Sequence, residues 1–141
     1  MKYYVGEAIY DCTVRQGIKV LDEKYYRLKH KEDKYCLLLL ERDSNYDVLY
    51  VDDNGWKSVV YFELVEYDKL YIVDVAPLYI NEGIGKNAFN LLFNYIRQTN
   101  LIKKIYGRTS PIDDQHADRK EHFFNKLGFT IDGRRISRVF K

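Results

Sequence analysis

The spacing of apolar residues changes near residue 77. Before it, the chain reads as strands and turns. Tyr35, Cys36, Leu37, Leu38, Leu39 and Leu40 form an unbroken apolar run of strand length. Asp43, Ser44 and Asn45 supply turn chemistry, and a second strand follows over 47–51. Asp53, Asn54 and Gly55 read as a hairpin turn, because Asn-Gly tolerates the positive φ angles a tight turn needs. Over 57–66, Val60, Phe62 and Leu64 alternate with Tyr61 and Glu63, the two-residue period of a strand. Tyr67, Asp68 and Lys69 make the next turn, and 70–75 the next strand. Residues 1–34 carry the weakest pattern. A short helix over 18–28 is the reading there, against Gly17 and the β-branched residues that oppose it.

Beyond Pro77 the period becomes helical. Ile84, Ala88, Leu91, Leu92, Tyr95 and Ile96 recur on one face, which predicts an amphipathic helix over about 84–98. A strand is predicted over 104–107. Asp118 is the expected N-cap of a second helix, with Glu121 three residues on as its reciprocal partner. That helix should run to 126 or 127 and stop at Gly128, with Phe129 packing back on Phe124. A last strand completes an alternation of strand, helix, strand, helix, strand.

The chain has 141 residues, the size of a single domain over 1–141, and 46% hydrophobic content, enough for a buried core. No apolar run approaches the roughly 20 residues that span a bilayer. The first residues lack the apolar core of a secretory signal, so a cytoplasmic location is the expectation. Cys12 and Cys36 are the only cysteines and read as free thiols. The net charge of +2 selects no partner. The 14 tyrosines suit half-buried sheet faces. Arg134, Arg135, Arg138 and Lys141 cluster near the end; a solvated last strand accounts for them.

The most informative segment is the link between the strand ending at Val75 and the first C-terminal helix. Gly83 and Gly85 stand where that helix begins. Backbone N–H groups at such a position have no helical acceptor, and the helix dipole adds positive potential. Glycine lets a phosphate approach those amides closely. A lone Gly-x-Gly is also what a helix start needs sterically, so the motif alone does not decide.

Two motifs together carry more. Val75-Ala76-Pro77 is followed by Gly83-Ile84-Gly85, and about forty residues later comes Phe123-Phe124-Asn125-Lys126-Leu127-Gly128-Phe129. In both motifs and their spacing the chain resembles the GNAT family of acetyl-coenzyme A-dependent N-acyltransferases, over roughly 70–129. The resemblance implies an α/β fold with a mixed central sheet, flanking helices and parallel strands that splay at the cofactor site. It implies acetyl-coenzyme A as cofactor, its diphosphate on the amides of Asn81, Glu82, Gly83, Ile84, Gly85 and Lys86. The pantetheine arm would lie beside the strand at Val73 and Val75, with Phe124 and Lys126 near the cofactor; a solvated helix lysine is the other reading of Lys126. Two positions depart from the family. Ile80 stands where an Arg or Gln is usual and cannot donate a hydrogen bond. Phe124 stands where many members carry a tyrosine thought to protonate the leaving thiolate, and it has no proton to give.

The resemblance implies acyl transfer to the amine of a small molecule or protein, which needs a base because an amine with pKa about 10.4 is protonated at neutral pH. Asp74 and Glu63 are the candidates. Asp74 interrupts an apolar strand just before the expected splay, but a sheet aspartate bonded to a loop amide reads the same way. Glu63 occupies the outward phase of its strand, which is naturally charged. His116, His122, Asp113 and Asp114 read as a polar loop or as part of an acceptor site, and no metal site is expected. His30 sits in a solvated turn. The alternative function is a non-catalytic module with this fold acting through a partner. Acylation of a charged transfer RNA, with Arg134, Arg135 and Arg138 on phosphates, is the least supported reading, and a membrane role has no support. An exposed edge strand would suit a homodimer.

Overall fold

The computed structural model describes residues 18–27, 34–52, 55–75, 83–108 and 117–140. Among them the order is β1 (Lys19–Arg27), β2 (Lys34–Arg42), β3 (Asn45–Asp52), β4 (Gly55–Val65), β5 (Lys69–Val75), α1 (Ile84–Thr99), β6 (Lys104–Arg108), α2 (Ala117–Lys126), β7 (Thr130–Asp132) and β8 (Arg135–Val139). One eight-stranded sheet holds all the strands in the order β1-β2-β3-β4-β5-β6-β8-β7. Every neighbouring pair is antiparallel except β5 and β6, which are parallel. Parallel strands need a crossover, and α1 supplies it.

β2 is apolar at every central position because both of its faces are covered. Tyr35, Leu37 and Leu39 join the main core with α1, whereas Cys36, Leu38 and Leu40 pack with Leu49 and Val51 in a second cluster. Alternation is lost where neither face meets water. The main core is aromatic at its centre: Phe89 of α1 lies 5.6 to 6.0 Å from the rings of Phe62, Phe93, Phe123, Phe124 and Phe129.

Three expectations are corrected. The segment expected as a helix over 18–28 is instead strand β1 over 19–27, paired with the apolar β2 from Lys19↔Glu41 to Arg27↔Lys34. Pairing with a buried neighbour outweighs weak local propensity. Asp118 does not cap α2, because the helix already includes Ala117. The last strand is a hairpin, β7 and β8, turning through Gly133 and Arg134. The Asp43-Ser44 turn forms as a tight hairpin with φ of 50° and 69° at its two residues. Asp53 and Asn54, the other predicted turn residues, lie outside the described residues.

The end of α2 follows the glycine-terminated motif. Gly128 has φ of 83°, its N–H donates to Asn125 O, and the Phe129 N–H donates to Phe124 O. The expected apolar contact closes it, with the rings of Phe124 and Phe129 5.4 Å apart. A β-carbon at Gly128 would meet the Arg138 guanidinium at 3.2 Å, so substitution there is opposed by backbone and neighbour alike. No described helix is long and apolar enough to cross a membrane.

Candidate functional site

The site is built where β5 ends and α1 begins. Gly83 is the N-cap of α1, in the left-handed region at φ 77°, and among the described residues no side chain caps the helix. The first helical bond runs from the Asn87 N–H to Gly83 O, so the N–H groups of Ile84, Gly85 and Lys86 precede any intrahelical acceptor. No acidic residue lies in the first turn. The positive end of the helix is therefore not neutralised from within. Among the described residues, a β-carbon added at Gly83 would meet nothing within 4 Å. Ile84 and Gly85 are buried while Lys86 is exposed. Asn81 and Glu82 lie outside the described residues, as do Ala76, Pro77 and Ile80.

The first turn is also held in place. Asn87 Nδ2 donates to the hydroxyl of the buried Tyr35 at 2.9 Å, tying α1 to β2. Tyr35 in turn stacks between Tyr26 and Tyr50, with centroids 5.2 and 5.1 Å away. Sequence reading passed over this link, since a helix asparagine and a strand tyrosine 52 residues apart carry no joint signal.

The sheet parts beside this helix end. β5 and β6 pair only at Lys69↔Lys104, Leu70↔Ile105 and Tyr71↔Tyr106. Beyond that point β6 stays with β8 as far as Arg108↔Arg135, and β5 stays with β4 as far as Val75↔Val60. The β6-facing side of residues 72–75 is left outside the ladder. A bulge marks the same place. Phe62 opposes Ile72 and Tyr61 opposes Asp74, so Val73 is the extra residue on β5. The bulge breaks the burial alternation, leaving Val73 48% exposed and Asp74 exposed next to it.

The two carboxylates fall together. Opposed residues share a face, and Phe62 is a core residue, so the alternate positions Tyr61 and Glu63 take the other face. Asp74 opposes Tyr61 and Tyr71 opposes Glu63, which places both carboxylates on the sheet face away from the main core. Tyr71 and Tyr106 accompany them, with rings 5.3 Å apart. The other predicted residues separate. Phe124 is 5% exposed within the aromatic core, and Lys126 is exposed in the last turn of α2. His122 is exposed on α2, while His30, Asp113, Asp114 and His116 lie outside the described residues. Among the described residues no group of three His, Cys, Asp or Glu side chains could hold a metal ion. Burial pushes the Cys36 thiol up to about 12, so it stays protonated and unreactive at neutral pH.

No protein-family model matches the chain, and no curated protein matches it in sequence. Solved structures do match in shape. One is assigned to the GNAT family of acetyltransferases, from Desulfovibrio desulfuricans, at TM-score 0.51 and 15% identity, covering 68% of this chain and 69% of that one. A ribosomal-protein-S5-alanine acetyltransferase from Vibrio fischeri matches at TM-score 0.51 and 14% identity, covering 69% and 62%. The chain has the GNAT fold. Ard1 from Thermoplasma volcanium adds a match at TM-score 0.50 and 14% identity, covering 67% and 70%.

Proposed function

We propose that this protein is an acyl-coenzyme A-dependent N-acyltransferase that moves an acetyl group from acetyl-coenzyme A to an amine. One observation carries the reading. The uncapped start of α1 follows directly on the stretch of β5 that has left β6. A diphosphate needs the first feature, and an amide-bearing arm that pairs as an added strand needs the second. The residues present fit the cofactor. Among the described residues nothing lies within 4 Å of a β-carbon at Gly83, and the unpaired side of residues 72–75 offers backbone groups to the arm. In this reading Asn81, Glu82, Gly83, Ile84, Gly85 and Lys86 hold the diphosphate, and Val73 and Val75 hold the arm. Phe124 and Lys126 complete the cofactor's surroundings.

The bound thioester supplies an activated acyl carbonyl. When held there, it would acylate a neutral amine and release the thiolate as leaving group. The proton lost by the amine passes to Asp74, the carboxylate next to the bulge, with Glu63 on the same face as the second candidate. A backbone N–H near Val75 faces the developing oxyanion. Phe124 donates nothing, so the thiolate departs unassisted. With a thiol pKa of about 8.5 that costs on the order of 10²-fold in rate and leaves the reaction accessible.

Titration calorimetry with acetyl-coenzyme A, followed by thiol release in the presence of polyamines and lysine peptides, tests the proposal. Binding with turnover is expected, whereas no heat at millimolar cofactor removes it. Binding without turnover on any amine would favour a non-catalytic module, the reading to which the hydrocarbon ring of Phe124 points. Asp74→Asn should lower turnover about 100-fold while leaving cofactor affinity unchanged, since an amide cannot accept the amine proton. Equal turnover in the variant and the parent would take Asp74 out of the reaction.

A further inference from the structure

A second polar cleft lies at the opposite end of α1. Ile96, Arg97, Asn100, Arg138, Val139 and Phe140 line a cavity of about 260 Å³. α1 has 16 residues, so at about 1.5 Å per residue this cleft lies roughly 24 Å along the helix from Gly83. It is therefore separate from the site described above.

Two guanidinium groups face this cleft, and no carboxylate among the described residues lines it. Arg138 comes from β8 and is fixed on three sides. Its Nη1 donates to Leu127 O at 2.6 Å, and its guanidinium carbon lies 4.4 Å from the Phe93 ring centroid and 5.0 Å from that of Phe140. One donor is used, and the remaining N–H groups of the fork are held in a set direction by the rings. Arg97 comes from the last turn of α1, where its only hydrogen bond among the described residues is a long one of 3.4 Å from Nη1 to Asn94 Oδ1. The ion pairs Arg42–Asp43 and Lys69–Glu66 lie elsewhere. The Asn100 side-chain oxygen accepts from Lys103 Nζ at 2.6 Å, which leaves its amide nitrogen to donate and brings a third cation close by.

Like charges at this distance cost energy. The Arg138 pKa is lowered by burial and by the charge of Arg97. An anion seated between them removes that cost and meets the donors already in place. From this geometry we infer that the cleft binds a phosphate group, gripped by Arg97 and Arg138 with the Asn100 amide as a further donor. Two fixed positive charges suit a dianion, and paired N–H donors suit its oxygens. The source is either free phosphate or a small phosphate monoester, for which Val139 and the Phe140 ring offer apolar contact.

The test uses the full chain carrying Gly83→Glu, so that phosphate cannot occupy the start of α1. Inorganic phosphate and phenyl phosphate are titrated separately against chloride at matched ionic strength, with heat and melting temperature as readouts. Saturable binding of at least one is expected, and the tighter of the two identifies the source. Binding of phenyl phosphate should weaken as pH falls through about 6, where the monoester dianion takes up a proton. Arg97→Gln, a change at an exposed position, should weaken it tenfold or more, the weight of one charge-assisted hydrogen bond. No saturable binding of either probe, or equal affinity in the Arg97→Gln protein, would overturn the inference.

Discussion

Gly83→Glu is expected to abolish acetyl-coenzyme A binding, more than 100-fold in Kd, in a protein that still folds. The fold survives for reasons of magnitude. A non-glycine residue at φ 77° costs about 1–2 kcal/mol, and domains of this kind hold about 5–15 kcal/mol. No atom of the described residues within 4 Å opposes the new β-carbon, and a carboxylate beside a helix start recovers a few tenths of a kcal/mol from the dipole. The binding loss has a different origin. The introduced carboxylate sits among the amides proposed to grip the diphosphate and repels it. Gly83→Ala separates the two effects, since it carries the same backbone strain without charge and should keep affinity within about tenfold. Calorimetry on the three proteins decides the matter. Wild-type affinity in Gly83→Glu would mean that the cofactor, if bound at all, lies elsewhere.

The largest loss of stability should come from Phe89→Ala. Phe89 is fully buried and touches rings from β4, α1 and α2 and that of Phe129, between α2 and β7. Most of these contacts are edge-to-face, the arrangement that ring quadrupoles favour. Removing the ring leaves a cavity in a centre that several elements share, so collapse from any one side is resisted. The expected cost is about 3–5 kcal/mol, or roughly 10–20 °C in melting temperature for a chain of this size. Urea unfolding followed by tyrosine and tryptophan fluorescence measures it. A change below about 1 kcal/mol would show that Phe89 is not the keystone of the core.

Much of the fold could be read from residues whose signal is local. The α1 face, the β2 run and the Gly128 stop each depend on neighbours within one or two turns, and each appears where expected. β1 was misread because its strand character is conferred by β2. Alone, residues 19–27 are a polar sequence with no strong period. The terminal hairpin did leave a local trace, since Asp132-Gly133 is a turn dipeptide between two short apolar stretches. The site divides along the same line. Gly83 and Gly85 announce a helix start by themselves. The bulge at Val73, the departure of β5 from β6 and the sharing of one face by Asp74 and Glu63 arise only from register between strands. Phe124 is legible locally only as half of the helix-ending contact with Phe129; its place in the aromatic core depends on Phe89, which comes from another helix.

The run of short turns from β1 to β5 bears on how the molecule assembles. Each strand there meets its sequence neighbour, so those contacts close small loops. Bringing β6 alongside β5 must wait for all of α1, the most distant adjacency between successive strands in the sheet. During synthesis the meander can therefore form while the C-terminal half is still emerging, and the proposed cofactor cleft takes shape among the last events.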